Sequence, residues 1–108
     1  MAQDETTLIG KGIRIKGEIT GTASIEVWGT VDGTAGTEGK FRVCEGGRVE
    51  GEIAAKEVIV DGQVQGHIAA EQRIALHAKS EVTGEIKAKV VSIDEGAFFE
   101  GSVKMPKG

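Results

Sequence analysis

Two histidines, one cysteine and a scatter of carboxylates are the residues of this 108-residue chain best suited to chemistry. His67 follows a glycine in Gly66-His67-Ile68, and Glu52 and Glu85 hold the same place in Gly51-Glu52-Ile53 and Gly84-Glu85-Ile86. A histidine between two carboxylates could relay a proton or hold a metal ion. Zinc, however, wants three or four convergent ligands, and the second histidine, His77, stands in a different kind of place, at a strand end before a turn. We therefore read Glu52, His67 and Glu85 as an outward ladder in which a neutral or opposite group separates like charges. Cys44 has no helix amino terminus nearby to favour its thiolate, and the adjacent Glu45 disfavours it, so it reads as an inert, partly exposed thiol. No catalytic residue, cofactor or metal site is expected.

The elements that position these residues come from a repeat. Val49-Glu50-Gly51-Glu52-Ile53 returns as Val64-Gln65-Gly66-His67-Ile68, and the same phrase opens at Ile15, Val31, Val82 and Phe99. Its glycines fall at 17, 33, 51, 66, 84 and 101, in steps of 16, 18, 15, 18 and 17 residues. Between the copies lies a second phrase, apolar-x-apolar, as in Ile25-Glu26-Val27 and Val58-Ile59-Val60. Both phrases alternate with period two and are rich in Val and Ile, which signals strands. Turn residues such as Asp61-Gly62 and Glu45-Gly46-Gly47 punctuate them. No longer window carries a helical stripe.

A period near 17 is too short for a leucine-rich repeat or a propeller blade. It suits one coil of a triangular β-helix. At roughly 3.3 Å per residue such a coil has three sides of about 19 Å, and six coils at about 4.8 Å spacing make a rod of about 29 Å. Stacking puts equivalent positions above one another, so four inward columns should be uniformly apolar. They begin at Ile15, Ile19, Ile25 and Val27 and continue through every later copy. Ala35 is small for its column and Phe41 large for its own, and we expect Phe41 to fill the space Ala35 leaves. Glu18, Glu52 and Glu85 then share one outward face. A smooth prism lacks the cleft that drives paired carboxylates to different pKa values, so this face reads as solvated.

Composition narrows the function. The net charge is −4, and the 13 basic and 17 acidic residues are mixed along the chain, so nucleic acid is not an expected partner. Apolar runs are too short for a membrane-spanning helix. The start, MAQDETTL, lacks a signal-peptide pattern, and the single cysteine fits a reducing cytosol.

A β-helix leaves ladder groups and core side chains bare at its two ends, and such edges invite another chain. Phe98, Phe99, Val103 and Met105 at one end, and Ile9, Ile13 and Ile15 at the other, are the expected polymerisation surfaces. Phe98 should point outward beside an inward Phe99. Trp28 follows inward Val27 and should point out, as a lateral or partner contact.

At this point the chain resembles the bactofilins, a polymer-forming bacterial cytoskeletal family. The carrying residues are Leu8-Ile9-Gly10-Lys11-Gly12-Ile13-Arg14-Ile15-Lys16-Gly17-Glu18-Ile19, the repeated phrase, and the run from Glu95 to Met105, EGAFFEGSVKM. The resemblance implies an all-β, right-handed parallel β-helix, a triangular solenoid of about six coils. It also implies nucleotide-independent, non-polar filaments that scaffold cell-wall and cell-shape machinery at the inner membrane. The expected layout is a flexible polar tail over residues 1–7, the β-helix over 8–105 and a short tail over 106–108. The expected location is the cytoplasm, at the inner face of the cell membrane. Expected partners are further copies of the chain, end to end, and cell-wall or membrane-associated proteins. Many family members carry a membrane-targeting amino terminus, but MAQDETT is polar and acidic, so direct membrane binding is not expected from it. Two rivals are weighed. A hexapeptide acyltransferase or carbonic anhydrase would keep an apolar residue at every sixth place, which these drifting steps do not. A monomeric solenoid adaptor would share the columns and differ only in staying single.

Overall fold

The alternating phrases form parallel strands that lie in register from one coil to the next. The computed structural model describes residues 6–21 and 24–104. Its strands are β1 (Thr6–Ile9), β2 (Arg14–Gly21), β3 (Ser24–Val27), β4 (Thr30–Thr37), β5 (Lys40–Val43), β6 (Arg48–Val60), β7 (Gln63–Leu76), β8 (Glu81–Lys87), β9 (Val90–Ile93) and β10 (Phe98–Lys104). All ten join one sheet wound into a solenoid of about six coils. β1 begins at Thr6, inside the segment expected to be a tail. No helix among the described residues is long and apolar enough to cross a membrane.

The glycine of each phrase divides a coil into faces. Face one precedes it and face two follows it. Face three is formed by β1, β3, β5, the second halves of β6 and β7, and β9. The expected columns appear in the register. On face one Ile15 lies on Val31, Val31 on Val49, Val49 on Val64, Val64 on Val82, and Val82 on Phe99. The face-two column runs from Ile19 to Val103 in the same way. The middle members are sealed: Val49, Val58, Ile74, Leu76 and Ile86 are all fully buried. Each such burial contributes about 1.5–3 kcal/mol relative to exposure. Ala35 and Phe41 are both fully buried in the second coil.

The drifting step has a structural cause. The corner from face three back to face one takes either two residues, as at Trp28-Gly29 and Asp61-Gly62, or four, as at Cys44–Gly47 and His77–Ser80. Each four-residue corner closes with a backbone hydrogen bond from its last N–H to its first carbonyl, such as Gly47 N to Cys44 O at 2.8 Å. Its third residue has a left-handed backbone. That residue is Gly12, Gly46 or Gly96 in three corners and Lys79, at φ 74°, in the fourth. The corner between faces two and three varies by one residue, with a register shift between Ala55 and Glu57. The faces keep their register while the corners absorb the length.

The repeated glycine is a corner as well. Gly33, Gly51, Gly66, Gly84 and Gly101 have φ between 124° and 139°. A Cβ on any of them would overlap the carbonyl oxygen of the glycine one coil earlier. Glycine is required here twice over, by backbone conformation and by close approach.

Candidate self-assembly surfaces

The last coil exposes column positions that the inner coils bury and adds outward apolar side chains where the inner coils carry polar ones. On β10, Phe98 is 53% exposed and points away from the core, Val103 is 40% exposed, and Phe99 is half-buried against the core. Met105 lies outside the described residues. Two residues that sequence reasoning did not single out join this end. Ile93 is 48% and Val90 49% exposed on β9, the last strand of face three. Ile93 was visible in the sequence as the final member of its column, with nothing after it to cover it.

The first coil is less open. Ile13, in the corner after β1, is 49% exposed, and Ile15 is half-buried against the core. Ile9 corrects the expectation: it is only 3% exposed. It faces inward in register with Val27, and the outward residue beside it is Leu8, 61% exposed. Trp28 projects from its corner, partly exposed, with Nε1 donating to Glu26 Oε1 at 3.4 Å.

The carboxylate and histidine side chains of the repeated phrase are held on the outer surface of the ladder. Glu52, His67 and Glu85 stack in register as expected, and His67 Nδ1 lies 3.6 Å from Glu85 Oε1. His77 takes a partner the sequence did not suggest. Its Nδ1 lies 2.6 Å from Asp61 Oδ1 one coil earlier, and Arg42 Nε reaches the other Asp61 oxygen at 3.5 Å. This is a tied network on a convex edge, and among the described residues no group of three or more metal-ligating side chains converges. Cys44 is a second correction, since it is buried. It opens a four-residue corner, where strand alternation has ended and the side chain turns in. Burial raises its pKa, Arg42 lowers it, and Glu26 and Asp61 raise it further.

A feature missed in the sequence is a groove of about 570 Å³ along the corner between faces two and three. Small residues line it, among them Ala54, Ala55, Ala69 and Ala70. The repeated Ile-Ala-Ala after the glycine phrase was its signal.

Known proteins share both this pattern and this architecture. Residues 7–104 match the family model described as "Bactofilin: Polymer-forming cytoskeletal". Bactofilin BacO of Myxococcus xanthus (strain DK1622) is 37% identical over 92% of this chain and 79% of its own length. Bactofilin BacN of the same organism is 40% identical over 97% of this chain and 93% of its own. The solid-state NMR structure of the cytoskeletal bactofilin BacA superposes with a TM-score of 0.85 at 32% identity, covering 95% of this chain and 98% of that one.

Proposed function

The chain belongs to the bactofilin family, and on that premise we propose that copies of this polymer-forming structural protein join end to end, without nucleotide. One observation carries the reading: the final coil leaves Ile93 48% and Val103 40% exposed, whereas the inner members of their columns are sealed, and it sets the outward Phe98, 53% exposed, beside them. Joining such an end to another copy removes that apolar area from water, at about 25 cal/mol per Å². It also gives partners to backbone groups that the last strand leaves unpaired. The open side chains of the first coil, Leu8 and Ile13, supply the second contact that a growing thread needs.

The work of such a thread is structural. It offers flat, polar faces along which cell-wall or cell-shape proteins are organised, in the cytoplasm at the inner face of the membrane. Family membership and the irregular coil spacing favour this reading over a hexapeptide enzyme. Negative-stain microscopy of the purified chain without nucleotide tests it. Long thin threads support assembly; compact trimers would point to the enzyme and single particles to the adaptor. Phe99→Arg should leave short soluble species, and long filaments in its pellet would remove this end from the interface.

A further inference from the structure

The groove between faces two and three runs along the side of the solenoid, from Thr20 and Gly21 in the first coil to Lys87, Ala88 and Lys89 in the fifth. Four coil steps of about 4.8 Å make it about 19 Å long. Its floor is methyl groups and bare backbone: Gly36, Ala54 and Ala69 stack in register, with Ala55, Ala70 and Ala88 beside them. Close packing does not require the glycine at Gly36, since a Cβ there would meet nothing closer than 3.7 Å. What the missing side chain does is keep the floor open. At the fifth coil the column changes character. Ala69 is followed in register by Lys87, and Lys87 by Lys104. Like charges placed directly opposite destabilise a sheet, and Lys89 adds a third cation at this end of the groove. All three lysines are exposed, and none forms an ion pair within the described residues. The lining sets one carboxylate of the preceding coil, Glu71, against them, so this end stays net positive.

An apolar trough of about 570 Å³ with a cationic end has the size and polarity of a small-molecule site. We propose that it holds a long-chain carboxylate, with the alkyl chain along the alanine floor and the head at Lys87 and Lys89. Glu38, on the rim in the second coil, repels a carboxylate and so sets which way the molecule lies. A peptide suits the groove less well. Strands β4, β6, β7 and β8 hydrogen-bond to one another across the floor, which leaves no strand edge for a peptide to pair with. The backbone groups it turned inward would lie unpaired on methyl groups, a cost that an alkyl chain does not carry. The site is on the side of the solenoid and does not rest on how copies join.

Equilibrium dialysis of the full chain against radiolabelled dodecanoate, below its micelle concentration, tests the site. Saturable binding is expected. Decanoate, two methylenes shorter, should bind about tenfold more weakly. Dodecyltrimethylammonium, with the same chain and the opposite head, should also bind at least about tenfold more weakly. Lys87→Glu with Lys89→Glu should weaken dodecanoate binding about tenfold. Lys11→Glu with Lys16→Glu makes the same change of net charge away from the groove and should leave binding unchanged. Ala54→Gln with Ala69→Gln, both at exposed positions, should fill the floor and abolish binding. Circular dichroism checks each fold. Should either groove pair unfold, Lys87→Gln with Lys89→Gln reads the head contact and Ala69→Gln alone reads the floor. Equal binding of the two heads, indifference to the lysine reversal, or no saturable binding would overturn the proposal. So would tighter binding of an acetylated valine–leucine tetrapeptide with a free carboxylate, which would assign the groove to a protein tail. Dialysis reads bound ligand whether the chain is single or polymerised, so a failure of end-to-end assembly leaves these comparisons intact.

Discussion

A methyl group on Gly101 would overlap the carbonyl oxygen of Gly84, one coil below. The same relationship runs down the whole corner, and it separates two costs that usually come together. Gly66 has φ 124° and a glycine carbonyl beneath it; Gly17 has φ 119° and nothing within 4 Å. Gly17→Ala should therefore cost only backbone strain, about 1–2 kcal/mol. Gly66→Ala should cost that plus the displacement of a packed coil, about 4 kcal/mol or more. Denaturant unfolding of end-blocked protein measures both, and equal costs would contradict the stacked-corner account.

Lys79 holds a left-handed backbone in the position that other four-residue corners give to glycine. That conformation costs a side-chain-bearing residue about 1–2 kcal/mol, partly offset in glycine by its greater chain entropy. Lys79→Gly should stabilise the fold by about 0.5–1 kcal/mol, read as a higher unfolding midpoint. A lower midpoint would mean that the lysine side chain has a role the geometry does not reveal.

Much of this was legible beforehand, for a simple reason. In an in-register parallel stack every residue lies on its own equivalent, so columns written from the sequence are columns in space. Val49, Val64 and Val82 behave as one position. The corners were not legible, because alternation stops where the chain turns. Trp28 and Cys44 both follow an inward valine, yet Trp28 is 37% exposed and Cys44 only 4%. The pairing of His77 with Asp61 was hidden for the same reason: it joins a four-residue corner to a two-residue one. Ile9 misled because β1 carries face three one level beyond the first copy of the phrase, so an apparent end residue closes a column instead.

Ala35 and Phe41 invite a double-mutant cycle. Both are fully buried in one coil. Phe41→Ala should cost about 3–5 kcal/mol. If the ring occupies volume that Ala35 leaves, adding Ala35→Ile should recover more than about 1 kcal/mol. Additive or worse behaviour would show that the two sites do not share space.

Cys44 makes stability depend on alkaline pH. Its folded pKa is raised above the ordinary thiol value, chiefly by burial. The folded state thus keeps its proton where the unfolded chain begins to lose it. The contribution is fully present below the unfolded pKa and is lost as pH rises through the folded one. Between pH 7 and pH 10, wild type should lose more stability than Cys44→Ala, and a thiol reagent should label native Cys44 slowly. Parallel pH profiles would rule this out.

The most direct test of assembly through the open last coil is sedimentation velocity of Ile93→Arg with Val103→Arg beside wild type, in the same nucleotide-free buffer. Both positions are more than a third exposed, so the arginines can be accommodated without disturbing the inner columns. Fast, heterogeneous sedimentation for wild type, with a species of one or two chains for the variant, is the result expected. A variant that still sediments as large polymer with its β-sheet content intact would contradict the claim that this coil is where copies join.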